Sequence, residues 1–476
     1  MTNPFVVVGG DAAGLSAASK CRREDPDREV IVYEKGEWVS YAHCGMPYYV
    51  KGGVESVGDL LSLTPTEIEE RGIDLRRNHE ITAVDPEERV VRGRTSEGTF
   101  TQPYGDLMIA TGARALTAPV DGTDLDDVFT MHHMDAAASL RAFLTPPEEF
   151  DETAFDAGYV DIDVSEYRGR APPETVAVVG GGYVGVEMAE AFRAHGLETH
   201  LYQRSEQPVP PFGDAVADRV TEVLGDNGVH LHLDEAVTSL EGNACVERVE
   251  ASDGTLAVDC ALVGVGIRPN TDLVNGTGIE LGESGAIAID EYGQTSAPRV
   301  YAAGDCAEKT HTVTGEPAWV PLGLTANRAG RAVGQTVAGD PALIGEIAGT
   351  AVLKAFDLEC GRTGIIDGET ASEAGFDPVS RTITAGSRSG YYPGNAETTV
   401  TLVADRQTEQ LLGGTITGED RAAVRIDTIA TALESDQTVS AVQRLDLAYA
   451  PPFSPVWDPV LVAAKVLAGA LNGGES

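Results

Sequence analysis

The chain has 476 residues, 42% of them apolar, enough for two or three domains with ample core. Seventy-five acidic against 34 basic residues leave a net charge of −41, which argues against nucleic acid or an anionic membrane as a partner. Any anionic ligand therefore needs a local basic pocket. The acidic residues run along the whole chain rather than forming a tail, as on a surface adapted to multimolar salt. None of the six cysteines forms a C-x2-C pair, so no metal site is expected and most should be buried small hydrophobes. The longest apolar run, near the C-terminus, is broken by Lys465 and is too short to span a bilayer. The N-terminus enters a strand directly, leaving no room for a signal peptide, so a cytoplasmic protein is expected.

Residues 5–8 read as a buried parallel strand, 13–23 as a helix and 29–34 as a second strand, the opening β-α-β of a doubly wound α/β sheet. The intervening turn is Gly9-Gly10-Asp11-Ala12-Ala13-Gly14. Gly9 makes the tight turn, Gly14 lets helix and strand pack closely, and the helix N-terminus faces a pyrophosphate. Asp11 replaces the middle glycine of G-x-G-x-x-G, so the strict pattern fails. Glu34 ends the next strand, placed to bind an adenosine ribose 2′-OH, with Lys35 beside it. On the first helix Ser16, Lys20 and Arg23 follow i, i+4, i+7 spacing and share a face. With Arg71 they are candidates for holding an anionic substrate; the plain alternative is surface cations near a helix C-terminus.

A lone cysteine, Cys44, sits in the segment Ser40-Tyr41-Ala42-His43-Cys44-Gly45-Met46-Pro47-Tyr48. Cys44 to Lys51 reads as a helix start broken early by Pro47, a setting that lowers a thiol pKa. Ile109-Ala110-Thr111-Gly112-Ala113 ends a strand in a small-residue turn, and residues 145–174 look like an acidic surface insertion outside the core. A second β-α-β follows: strand Val176–Val179, helix Tyr183 to His195, strand Glu198–Gln203. Its fingerprint, Gly180-Gly181-Gly182-Tyr183-Val184-Gly185, is complete, and Glu187 on the helix joins the candidate cofactor contacts. Gln203 stands where an acid would bind a ribose diol, and Arg204 follows, which favours NADPH while leaving NADH possible. Val300-Tyr301-Ala302-Ala303-Gly304-Asp305 ends another strand with a carboxylate that suits either a ribityl or pyrophosphate contact or a helix N-cap. From residue 331 the pattern is α+β: strands at Thr399–Asp405 and Gln410–Thr417, helices at 420–434 and 458–470.

The order of these motifs resembles the FAD-dependent pyridine nucleotide-disulfide oxidoreductases over nearly the whole chain, and Gly264-x-Gly266-x-x-Pro269-Asn270 matches the segment leaving that family's nicotinamide domain. The resemblance implies two Rossmann-like domains, for FAD (1–115 and 269–330) and NAD(P) (116–268), and a C-terminal dimerisation domain (331–476). Two-cysteine members carry C-x4-C where this chain has Cys44 and Tyr49. The segment around Cys44, Tyr391-Tyr392-Pro393-Gly394-Asn395 and Ala448-Tyr449-Ala450-Pro451-Pro452-Phe453-Ser454-Pro455 resemble the single-cysteine branch, coenzyme A disulfide reductase. By that resemblance Cys44 forms a mixed disulfide with CoA and is reduced by NAD(P)H through FAD. Tyr391 and Tyr449 reach it from the partner subunit of a homodimer, and which of Tyr391 and Tyr392 points inward stays open. Ser16, Lys20, Arg23, Ser40, His43 and Arg71 become the CoA candidates, and Tyr183 swings to admit nicotinamide. Three features depart from the family pattern: Asp11 for a small apolar residue, His43 for an asparagine, and the insertion at 145–174. No rhodanese-like segment follows residue 476, so the unfused form is expected.

A sulfur without an intramolecular mate stores oxidising equivalents either as a mixed disulfide or as a sulfenic acid. An NAD(P)H oxidase or peroxidase would use the latter. The peroxidase branch carries a histidine at the position of Ala12, and its absence favours disulfide. CoA persulfide or polysulfide reduction would use the same mixed disulfide. A flavin-linked electron donor to a protein partner would leave Cys44 idle.

Overall fold

The computed structural model describes residues 3–118 and 120–473. Two parallel sheets repeat one plan. In the first, the strand order is Val300–Ala302, Asp106–Ile109, Phe5–Val8, Val30–Tyr33, Asp74–Arg76. In the second it is Val229–Leu233, Glu198–Gln203, Thr175–Val179, Cys260–Val263, Val128–Phe129. The central strands of both are buried except at Thr175, as expected of sheets covered on both faces. Each sheet is accompanied by a three-stranded antiparallel ribbon, at 80–103 and 237–257. The chain crosses between the two units through a short antiparallel pair, Ala113–Ala115 with Ile267–Pro269.

The C-terminal region is a five-stranded antiparallel sheet, with helices Ala422–Glu434 and Pro459–Leu471 packed on it. The expected boundary at 330 falls inside the helix Gly323–Val337. That helix belongs to the first unit, because it packs along the first helix, Ala12–Glu24. Gly330 and Gly334 permit the approach: a Cβ on either would lie 2.1 Å from the carbonyl oxygen of Ala13 or 2.2 Å from that of Ala17. No helix among the described residues is long and apolar enough to cross a membrane.

The segment 145–174 is more than a surface excursion. Phe155 and Val164 are buried against Ala138 and Ala142. Tyr159 packs edge-on against Trp38 and hydrogen-bonds the Val39 carbonyl, and Arg170 forms a two-pronged ion pair with the buried Asp127. Its aromatic residues, spaced between acids, supply apolar cover that the acidic composition conceals.

Candidate active site

The two fingerprints fold alike. Gly9 and Gly180 turn at φ +118° and +109°, in the region open to glycine. A Cβ on Gly14 would lie 1.9 Å from the Gly9 carbonyl oxygen, and one on Gly185 would lie 1.8 Å from that of Gly180. Each loop is tied to the end of the next strand: Gly10 N–H donates to Glu34 Oε2 at 2.9 Å, and Gly181 N–H to Gln203 Oε1 at 3.0 Å. Glu34 also accepts from Gly36 N–H at 2.8 Å. Burial raises its pKa, and the two backbone donors oppose that rise. Gln203 makes the equivalent link without a charge.

Both loops open on one continuous cleft of about 3180 Å³. Gly9, Gly10, Ala13, Glu34, Lys35, Ala110, Thr111, Gly112 and Asp305 line its first half; Gly180, Gly182, Tyr183, Glu187 and Arg204 line its second. Gly14 and Gly185 lie behind the loops, where they set helix packing. Asp305 is no helix N-cap, since the next helix begins only at Gly323. Burial raises its pKa, against the opposing pull of Lys309, itself buried. A half-buried carboxylate lining the cleft, with a buried lysine behind it, is the polar wall a ribityl chain or pyrophosphate requires. A helix N-terminus, a glycine loop lining the cleft and Glu34 complete a cradle that fits FAD.

Cys44 is the one cysteine lining this cleft among the described residues. It is exposed, as is Cys245; the other four are buried. Cys44 sits in a 3-10 turn, His43–Gly45, that leads into the helix Met46–Lys51. Pro47 does not break this helix. It occupies the first turn, where its missing N–H costs no hydrogen bond. The expected depression of the thiol pKa is not found either. Burial among cleft walls pushes the Cys44 thiol up, and the carboxylates of Glu187 and Asp305 push the same way. Six residues of helix offer little dipole to oppose them.

Tyr49, at the place of a second sulfur, is fully buried and donates its hydroxyl to the Ala154 carbonyl at 3.0 Å. The insertion thus braces the cysteine helix from behind. On the cleft side, Tyr48 donates to Glu187 Oε1 at 3.0 Å. Burial lifts the Glu187 pKa to about 7, and the Tyr48 hydrogen bond opposes that lift. The other departures from the family pattern meet each other: His43 Nε2 lies 2.6 Å from Asp11 Oδ2, and the His43 ring stacks on Tyr41 at 4.2 Å. Tyr41 N–H donates to Asp11 Oδ1 at 3.3 Å.

Ser16, Lys20, Arg23, Ser40 and Arg71 all line the cleft. Ser40 is held at φ +53°, a strained setting for a serine. Ser16 donates to Asn327 at 2.7 Å, while Lys20 is nearly buried and paired with Glu24, so Arg23 and Arg71 are the exposed cations. Sequence reasoning missed Arg328 and Arg331 on the helix Gly323–Val337, which line the same end of the cleft. It also missed Arg362, from the C-terminal sheet, which stands near Tyr183. The charge pattern of 323–337 was available; its proximity to the first helix was not. Tyr391 and Tyr449 are not brought to Cys44 within the chain; they are 81% and 61% exposed.

Two dinucleotide cradles meeting at one cysteine define a flavin-dependent, pyridine-nucleotide-linked oxidoreductase. The chain belongs to the pyridine nucleotide-disulphide oxidoreductase family: that domain matches residues 3–324, and the family's dimerisation domain matches 350–459. It is an NAD(P)H-dependent FAD oxidoreductase. An NAD(P)H coenzyme A polysulfide/persulfide reductase of Pyrococcus horikoshii is 39% identical, with 98% of this chain and 99% of the relative covered. A coenzyme A disulfide reductase of Staphylococcus haemolyticus is 27% identical, with 94% and 96% covered. The solved structure of an NAD-dependent persulfide reductase from A. fulgidus superposes with a TM-score of 0.90 at 31% identity, covering 99% of this chain and 84% of that one.

Proposed function

We propose that this protein reduces coenzyme A disulfide to coenzyme A with NAD(P)H through the single redox-active Cys44. FAD, which Gly9, Gly10, Glu34 and Asp305 would hold, would supply the two-electron relay between NAD(P)H and sulfur. Overall, one disulfide, one NAD(P)H and one proton give two thiols and NAD(P)+. Cys44 thiolate attacks one sulfur of the disulfide; one CoA thiolate leaves, and the other CoA remains as a mixed disulfide on Cys44. Two electrons then cleave that bond, freeing the second CoA and restoring the thiolate. The observation that carries this reading is that Cys44 is the one thiol lining the cleft among the described residues, with the buried Tyr49 at the place of a second cysteine.

Arg23, Arg71, Arg328 and Arg331 give CoA phosphates a cationic wall in a chain otherwise strongly negative. Ser16, Lys20, Ser40 and His43 complete the substrate contacts. A homodimer brings the exposed Tyr391 and Tyr449 to the opposite subunit's Cys44, where a hydroxyl protonates the leaving thiolate. Gln203 with the exposed Arg204, which has no ion pair among the described residues, favours NADPH over NADH.

A second reading, CoA persulfide or polysulfide reduction, is favoured by the name of the 39%-identical Pyrococcus relative. It uses the same mixed disulfide and releases sulfide as well as CoA. Mass spectrometry of the denatured, unreduced protein tests the chemistry. One CoA on the Cys44 peptide is expected; one added oxygen instead would indicate an oxidase or peroxidase. Cys44→Ser should cut CoA disulfide turnover by roughly a thousandfold while NADPH still bleaches the flavin. Undiminished turnover in that variant would overturn the proposal.

A further inference from the structure

Away from Cys44, the outer two strands of the second sheet carry a cluster that the proposed reaction does not use. Glu198–Gln203 and the edge strand Val229–Leu233 pair in parallel, with His200 opposite His230 and Tyr202 opposite His232. Alternate residues of a strand share a face, so Glu198, His200, His230 and His232 stand on one side. We propose that Glu198, His200 and His230 form a binding site for a divalent transition-metal ion of the zinc type.

One ligand atom from each residue lies within 4.8 Å of the others. His200 Nε2 is 3.3 Å and His230 Nε2 4.0 Å from Glu198 Oε1. Ligands held at about 2.0–2.1 Å around tetrahedral zinc stand roughly 3.3 Å apart, so closing the site needs on the order of an ångström of movement. That movement falls on the exposed members. The side chains of Glu198 and His230 are 57% and 58% exposed, whereas that of His200 is 9% exposed and fixed by packing. The His230 ring stacks on His200 at 4.6 Å and must turn to present its lone pair, which its exposure permits.

His200 is already held from behind by a chain of side-chain contacts. His200 Nδ1 lies 2.9 Å from His232 Nε2, and His232 Nδ1 lies 3.1 Å from Glu235 Oε2. With Glu235 accepting from His232 Nδ1–H, and His232 Nε2 accepting from His200 Nδ1–H, the lone pair of His200 Nε2 faces Glu198. A metal-binding imidazole is held in this way, its far N–H donated toward a carboxylate. The His232 ring is itself fixed by stacking on Tyr202 at 4.2 Å. Burial holds His200 below its ordinary pKa, with the neighbouring imidazoles acting in the same direction and Glu198 against it. Two imidazoles and one carboxylate suit zinc, nickel or copper(II) better than magnesium or calcium, and water fills the fourth position. The ligands come from strands about thirty residues apart, so no local spacing in the sequence announces them.

The test is zinc retention by the holoenzyme. EDTA-stripped protein is dialysed against low-micromolar zinc chloride, then against metal-free buffer, and zinc is counted by mass spectrometry. We expect one zinc per chain in the wild type and in Cys44→Ser, and at least a tenfold loss in His230→Ala and Glu198→Ala. NADPH-driven flavin reduction should be unchanged in the last two, which separates loss of the site from loss of the fold. No zinc in the wild type, full retention by His230→Ala, or loss confined to Cys44→Ser would each overturn the site.

Discussion

Glu187 is the residue whose charge matters most to Cys44. Its pKa of about 7 lies well above an ordinary carboxyl, so it ionises around neutral pH. Each step toward the ionised form places a negative charge where it raises the Cys44 pKa. The sign follows: as pH rises through 7, the wild-type thiol becomes harder to ionise than a fixed environment would make it. Glu187→Gln removes that term. Iodoacetamide alkylation of reduced Cys44 should then be severalfold faster than wild type at pH 8 and little different at pH 6. Equal rates at both pH values would show that Glu187 does not act on the thiol. Stability follows the same linkage, since a carboxyl with a raised folded pKa favours the fold at low pH and loses that contribution as pH rises through 7. The sequence showed Glu187 only as a helix residue near a fingerprint; its meeting with Tyr48 depends on two helices from different domains. Asp11 and His43 were legible as two separate oddities. The structure makes them one pair, in which an imidazole meets the carboxylate that intrudes on the pyrophosphate loop. Pair compensation across 32 residues cannot be read from either residue alone.

At the scale of elements, what is local was legible. The two β-α-β units and the C-terminal antiparallel strands are set by apolar periodicity and glycine turns, and the strand Glu198–Gln203 ends where its pattern does. What depends on tertiary contact was not. Pro47 reads as a breaker until it is seen in a first turn, and the 145–174 segment reads as solvent-facing until Phe155 finds the Ala138–Ala142 helix face. The pairing of Ala12–Glu24 with Gly323–Val337 is of the same kind. Its seam is the Gly330–Gly334 spacing against Ala13 and Ala17, and a Cβ at Gly334 would meet backbone, which cannot rotate away. Gly334→Ala should therefore cost about 1–3 kcal/mol by forcing the helices apart. Because the first helix also begins at the glycine loop that lines the cleft, the same variant should release FAD faster on dialysis. A wild-type melting curve with wild-type flavin retention would show that the seam has slack.

For the whole molecule, charge sets the conditions under which everything above operates. A net −41 cannot be neutralised internally, because basic residues are fewer than half the acidic ones and many basic groups are already committed to ion pairs such as Arg28–Asp106 and Arg425–Asp458. The remainder repels itself. Exposed charges interact over about 10 Å at 0.1 M salt and about 3 Å at 1 M, so multimolar KCl removes most of that repulsion while leaving buried pairs intact. The apolar face around Tyr449, Phe453, Val456 and Trp457 is exposed in the single chain, and a homodimer that buries it brings two such charges together. Self-repulsion in the dimer exceeds that in either subunit, so low salt should act first on association. Lowering KCl from 2 M to 0.05 M should reduce the melting temperature by roughly 10 °C or more, as expected if several kcal/mol of repulsion is unscreened. In sedimentation velocity the dimer should give way to monomer before the fold is lost. On the proposed composite site, in which Tyr391 and Tyr449 serve the partner's active site, CoA disulfide turnover should fall with the dimer fraction rather than with helix content. Activity retained by monomer at low salt would separate the two, leaving the chemistry at Cys44 in place and removing the partner tyrosines from it.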